Sequence, residues 1–298
     1  VSAKSADGTE MPYRYERFYS SENGSNVVLT IDQTIQHFLE KHMETAVVDN
    51  DLQKGAAGII MDVKTGEILA MATKPDFDLN APFSLNDAEK EIVKAQPEDK
   101  RGEKESEILL SKWRNKAVVD SYEPGSTFKI IVAAMGLETG KLNVNDQFFC
   151  NGYKEVGGYR IHCWKTVGHG AEDFVDGIKN SCNPVFMEIG ERIGKQDFYK
   201  YYKAFGFTET TGIELNGETS GLFYDMSIFN ETELATSSFG QGFQVTPLQM
   251  ITAVSSIANG GYLMRPYLVK QLTNEDGEIL EETKPKTVRK VVSEETPK

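Results

Sequence analysis

The sequence predicts an α+β fold in which helices pack on an antiparallel sheet, and three observations predict it. The stretch NVVLTIDQTIQHFLEKHMETAVVDN (26–50) opens as a strand and changes at Asp32 to a helical period. Two β-type runs follow, on either side of turn residues at 62–66. Further helical patterns at 128–138, 174–205 and 246–258 precede a C-terminal stretch of strand-like pieces and charged turns.

Each element has a local cause. In the first helix Ile35, Phe38, Leu39, Met43 and Ala46 recur at three- and four-residue steps, and Asp32 is placed to cap it. Within GAAGIIMDVKTGEILAMATKP (55–75) the polar, glycine-containing centre breaks two apolar runs into a hairpin. Residues 83–112 mix both charge signs with few strong core residues, so an exposed, mobile helical insertion is expected there. The run FKIIVAAMGLE (128–138) is apolar nearly all round, the pattern of a helix buried on most sides. Residues 174–205 are expected to form two helices joined at Gly194. TPLQMITAVSSIA (246–258) carries Thr246 as cap and Pro247 in the first turn, and it stops at Asn259-Gly260-Gly261.

The totals bound the function. A chain of 298 residues with 39% hydrophobic and 26% charged residues is of ordinary globular composition. A net charge of −13 argues against nucleic acid, whose phosphates it would repel. No run of roughly 18 apolar residues is present to cross a membrane as a helix. Residues 1–25 are polar and aperiodic and are expected to be the trailing part of an upstream pedestal or linker.

The segment EPGSTFK (123–129) carries the sharpest chemical signal. Pro124-Gly125 breaks the preceding chain, so Ser126 stands at the head of the apolar helix, with Lys129 one turn on and on the same face. A lysine drawn into the interior loses solvation, its pKa falls, and the neutral amine can take the serine proton. A capping serine with a surface lysine one turn later reads the same way in so short a pattern. The apolar helix favours the buried lysine, which is unusual without a task. A second turn, Ser181-Cys182-Asn183 before Pro184, offers a hydroxyl to relay a proton and an amide to hold a substrate, or simply an ordinary capping turn.

A third cluster lies in FFCNGYKEVGGYRIHCWKTVGHGAEDF (148–174). Cys150, His162, Cys163 and His169 are expected to hold a structural zinc, with Asp173 in reserve, because thiolate and imidazole suit a tetrahedral zinc site. The spacing is irregular, and His162 and Cys163 are adjacent. A Cys150–Cys163 disulfide outside the cell, or unlinked loop residues, stand beside that expectation. Cys182 reads as a small buried filler.

Taken together, LTIDQTIQ, IIMDVKTGEILAMATKPDFD, RNKAVVDSYEPGSTFK, NSCNPVF and SSFGQGFQVTPLQM resemble the transpeptidase domain of class B penicillin-binding proteins. The resemblance runs from about residue 26 to the end, so 26–298 is expected to be that domain. It implies an antiparallel sheet with helices on both sides plus an all-helical subdomain. It also implies a peptidoglycan D,D-transpeptidase without a required cofactor, trapped by β-lactams. Ser126 would be the nucleophile, Lys129 its base, Ser181 the proton shuttle to the leaving amine, and Asn183 a brace for Lys129 and the substrate amide. Stem peptides, lipid-linked precursors and a glycosyltransferase would be partners, at the outer face of the cytoplasmic membrane and tethered by an upstream helix.

One motif departs from the family. Its Lys-Thr/Ser-Gly belongs after the Gly-Gln-Gly region, whereas Lys64-Thr65-Gly66 precedes Ser126 and reads as turn chemistry. Lys286-Thr287-Val288 puts a β-branched residue where glycine is needed. The third motif and the C-terminal strands are therefore expected to be missing. That leaves two alternatives in view: a catalytically impaired penicillin-binding or division-partner module, and a β-lactamase-like hydrolase.

Overall fold

The computed structural model describes residues 24–52 and 54–296. The expected upstream linker therefore falls mostly outside the described residues. In chain order the first elements are β1 (Asn26–Leu29), α1 (Gln33–Asp49), β2 (Ala56–Met61), β3 (Ile68–Lys74), α2 (Asp87–Lys94), α3 (Arg101–Trp113), α4 (Lys116–Val119) and α5 (Lys129–Glu138). Then come β4 (Gln147–Cys150), β5 (Tyr153–Val156), β6 (Tyr159–His162), β7 (Gly170–Asp173), α6 (Phe174–Lys179), α7 (Asn183–Ile193) and α8 (Lys195–Ala204). The last are α9 (Glu231–Ser237), α10 (Pro247–Ala258), β8 (Tyr262–Met264), β9 (Val269–Thr273), β10 (Ile279–Glu282) and β11 (Thr287–Lys290).

Two compact units are present. In the smaller, residues 24–29 and Val269–Thr283, β9 lies between β1 and β10 and pairs antiparallel with both. The larger, Thr30–Leu268 with Lys284–Lys298, contains the candidate site. Its strand ladders β2–β3, β4–β7, β5–β6 and β8–β11 are all antiparallel.

The expected hairpin is β2–β3, and its turn is made by Asp62, whose carboxylate accepts the N–H groups of Lys64 (2.8 Å) and Thr65 (2.9 Å). Those two bonds hold the Asp62 carboxyl below its usual pKa range. Gly66 has φ +85°, and a Cβ there would come within 2.6 Å of Arg265 O, so the Lys64-Thr65-Gly66 match is a turn that requires glycine for its own packing. Helices cover both faces of the hairpin. Gly58 lets α1 approach so closely that a Cβ would meet Met43 Sδ at 2.6 Å. The Gln36 amide clamps the β3 backbone, donating to Met71 O (2.9 Å) and accepting from Met71 N (2.8 Å). Residues of the other parity, Ile59 and Met61, face Leu248 of α10 together with Ile68 and Val118.

The helical part has α5 at its centre. Ile131, Val132 and Met135 are fully buried against α7, α8 and α10, as its apolar run predicts. The α10 start has a capping box: the Thr246 hydroxyl accepts from Gln249 N (3.1 Å), and the Gln249 side chain accepts from Thr246 N (3.0 Å). The 83–112 stretch forms α2 and α3, linked by the Lys112–Glu89 ion pair at 3.0 Å. Residues 174–205 contain three helices where two were expected, because the chain stops α6 at Lys179 and restarts α7 at Asn183. That interruption builds half of the candidate site.

Candidate active site

Ser126 is carried by a clamped entry and a tight turn. Gly125, at φ +56°, donates its N–H to Gly240 O at 2.9 Å. Gly240 has φ +82°, and a Cβ there would stand 2.0 Å from Gly125 O. Tyr122 and Val245 exchange backbone bonds at 3.0 Å, and Gly242 N donates to Glu123 Oε1, also at 3.0 Å. A single 3-10 turn, Gly125–Phe128, then feeds α5. In a 3-10 turn side chains three apart eclipse, which sets Lys129 more directly over Ser126 than an α-helix would. Phe128 points the opposite way and is fully buried, with its ring 4.8 Å from Phe243 and 5.4 Å from Phe207. Burial of that one ring contributes about 1.5–3 kcal/mol to holding the turn down.

Ser181 is carried by the break between α6 and α7. It has φ +50°, a left-handed conformation that costs a residue with a Cβ about 1–2 kcal/mol. In that conformation both its carbonyl and its hydroxyl face Lys129, while Cys182 caps α7 and Asn183 begins it.

Lys129 is the hub. Its side chain reaches Ser181 O at 2.7 Å, Asn183 Oδ1 at 2.8 Å, Ser181 Oγ at 3.0 Å and Ser126 Oγ at 3.3 Å. Asn183 in turn donates through Nδ2 to His162 O at 3.3 Å, which fixes its amide orientation. Lys129 is only 4% exposed, and burial pushes its ammonium down to about 8, although the nearby Cys182 and Cys163 work in the other direction. Burial also pushes the Cys182 thiol far up. Ser126, by contrast, is exposed at the mouth of a cavity of about 550 Å³ with apolar walls at Ile130, Val144 and Ile178.

Donor counting gives the chemical capacity of this arrangement. A neutral amine has two N–H groups and one lone pair. Ser181 O and Asn183 Oδ1 are acceptors only, and they engage both N–H groups. The lone pair is left to the Ser126 and Ser181 hydroxyls, which is the orientation of a general base.

The structure brings Ser126, Lys129, Ser181 and Asn183 together. It does not bring His162 to the cysteines. His162 ends β6 with its ring exposed, 6.1 Å from the Tyr153 ring, and only its carbonyl turns inward. Adjacent residues of extended chain face opposite ways, so His162 and Cys163 diverge. Asp173, the reserve ligand, is occupied as the α6 cap, accepting from Asp176 N at 2.8 Å. Cys182 takes the vacated place: Cys150, Cys163, His169 and Cys182 present ligand atoms all within 4.8 Å of one another. Val288, of the Lys286-Thr287-Val288 near match, lines a different cavity from Ser126. Sequence reasoning missed Gly240 as the partner of Gly125; the Gly-x-Gly spacing of 240–242 was the available signal.

Residues 56–298 match the family described as the penicillin binding protein transpeptidase domain. The chain is 37% identical over 295 residues to stage V sporulation protein D of Bacillus subtilis, covering 98% of this chain and 42% of that protein. It is 29% identical over 272 residues to the probable peptidoglycan D,D-transpeptidase PenA of Neisseria gonorrhoeae, covering 91% of this chain and 42% of PenA. The crystal structure of penicillin binding protein 3 from Mycobacterium tuberculosis, complexed with ampicillin, superposes with a TM-score of 0.77 at 28% identity, covering 95% of this chain and 57% of that one. The chain thus spans less than half the length of these two curated relatives.

Proposed function

Because the chain belongs to the penicillin-binding protein transpeptidase family, we propose that it cross-links peptidoglycan stem peptides through an acyl-enzyme on Ser126. The observation that carries this reading is the buried Lys129 amine, held by Ser181 O and Asn183 Oδ1 and standing 3.3 Å from Ser126 Oγ and 3.0 Å from Ser181 Oγ.

Lys129 takes the Ser126 proton as Oγ attacks the penultimate D-Ala carbonyl. The oxygen that becomes anionic lies at the head of the 3-10 turn, where the Ser126 N–H and the dipole end of α5 favour negative charge. The C–N bond then breaks. Ser181 Oγ, 3.0 Å from Lys129, passes the proton to the departing D-alanine nitrogen. Asn183 holds Lys129 in place and offers its amide to the donor peptide. An amine from a second stem peptide attacks the ester and restores Ser126.

These steps use side chains and backbone alone and call for no cofactor. A metal at the cysteine loop would be structural and stand apart from the reaction. Cross-linking requires strands that carry stem peptides, so a glycosyltransferase acting on lipid-linked precursors is the partner chemistry requires. The substrate would put the site on the outer side of the cytoplasmic membrane; among the described residues no helix is long and apolar enough to cross a membrane.

A β-lactam tests the nucleophile. The Ser126 Oγ–C bond forms, the lactam C–N bond breaks, and the proton moves to that nitrogen, so no atom leaves. Intact mass should rise by the full mass of benzylpenicillin in the native chain and not in Ser126→Ala. Equal adducts in both proteins would remove Ser126 from this role.

A further inference from the structure

The cluster beside the catalytic turn has no part in the reaction above. Cys150 ends β4, Cys163 follows β6, His169 precedes β7, and Cys182 caps α7. All three cysteines are buried, and the His169 side chain is 4% exposed. The loop is built to converge. Gly152 (φ +95°) and Gly168 (φ +82°) let two backbone segments touch: a Cβ on Gly152 would lie 2.0 Å from Thr166 O, and one on Gly168 would lie 2.3 Å from Cys150 O.

The polar atoms in this cluster are left wanting. Among the described residues His169 Nε2 and Glu172 Oε2 are buried without a hydrogen-bond partner. Cys163 Sγ lies 3.8 Å from His169 Nδ1, and so does Glu172 Oε2. Unpartnered buried polar atoms are rare in folded proteins, and two in one cluster point to a missing ligand. A disulfide would join two sulfurs and leave the third, the imidazole and the carboxylate as they are. A metal uses all four ligand atoms, and a carboxylate beside a ligating imidazole is a usual means of orienting it.

We propose that Cys150, Cys163, Cys182 and one ring nitrogen of His169 form a tetrahedral structural zinc site that pins the Ser181-Cys182-Asn183 turn to the 163–169 loop. Zinc–sulfur bonds of about 2.3 Å bring tetrahedral sulfurs to about 3.8 Å apart, so side-chain rotation of about 1 Å closes the cluster. As each Zn–S bond forms, the S–H proton passes to buffer. The imidazole binds neutral, and no electron is transferred. Through Cys182 the ion fixes the residues on either side, Ser181 and Asn183, both of which hold Lys129.

The test uses the full chain and zinc or cobalt(II) alone. The protein, purified without chelator, should carry about one equivalent of zinc. Exchange with cobalt(II) should give thiolate charge-transfer bands and the intense visible absorption of a tetrahedral site. Cys150→Ser should bind at least about 100-fold more weakly. His162→Ala should bind as the native chain does. If Cys150→Ser does not fold, the cobalt spectrum of the native chain decides. Three free thiols with no bound metal and no cobalt spectrum would overturn the proposal. So would one free thiol after unfolding without reductant, which reports a disulfide, or zinc whose binding survives Cys150→Ser. None of these readouts depends on transpeptidation, so failure here leaves the Ser126 reading to its own test.

Discussion

Ser181 holds the most strained described backbone in the site, and the strain is what aims two of its oxygens at Lys129. Ser181→Gly should therefore melt above Ser181→Ala by the equivalent of about 1 kcal/mol, because glycine adopts φ +50° freely. Both should lose acylation rate by a factor on the order of 10², since both lack the hydroxyl. Thermal denaturation and benzylpenicillin acylation of the pair check this; equal melting would remove strain from the account. At this scale the sequence made Ser126 and Lys129 legible because their pairing is local, one turn apart. The convergence of Ser181 and Asn183 on Lys129 was not local: a proton relay through Ser181 was readable in the turn, and the resemblance added Asn183 as a brace for Lys129. Cys182 and His162 exchanged places relative to expectation. The governing fact, opposite side-chain directions at adjacent extended residues, was itself readable in YRIHC.

Among the elements, the 3-10 turn before α5 is held from above and below. Gly240 seals the Gly125 side, and Phe128 anchors the other side in an aromatic cluster with Phe243, Phe207 and Tyr202. Gly240→Ala should cost more than about 1 kcal/mol, since both the positive φ and the Gly125 backbone oppose a Cβ. It should also slow acylation, because the nearest atom that must yield is the backbone just before Ser126. A variant with native stability and native acylation rate would contradict the clamp. Tyr202 offers a cleaner test of the cluster. Its hydroxyl is buried without a partner among the described residues, so Tyr202→Phe should gain about 1 kcal/mol in chemical denaturation. Helix starts were the most legible features: Asp32 and Thr246 cap where their sequence positions predict. The split of 174–205 into three helices was half legible: the Ser181-Cys182-Asn183 turn before Pro184 marked the start of α7, while the separate short α6 before it was missed.

In the whole molecule, burial is unevenly distributed. The helices α5 and α7 are rich in fully buried side chains, among them Ile131, Val132, Met135, Phe186 and Ile189, whereas every residue of β1 and of β10 is exposed. Backbone amides of β1 and β10 should therefore exchange with deuterium well before those of α5, which hydrogen-exchange mass spectrometry reads directly. The α+β class and the helix–hairpin order were legible from periodicity. The division of the strands into several short ladders was not, since register between distant strands leaves no local mark. This architecture keeps one amine, beside Ser126, dry enough to lose its proton near pH 8. With burial holding Lys129 near 8, roughly a tenth of it is neutral at pH 7, against roughly three in ten thousand for a solvated lysine. The base works only unprotonated, so the rate must climb with pH. The second-order rate constant for benzylpenicillin acylation of Ser126, measured from pH 6 to 10, should rise and level off with an apparent pKa near 8. A rate that is flat across that range, or that climbs only through the ordinary lysine pKa, would contradict the account.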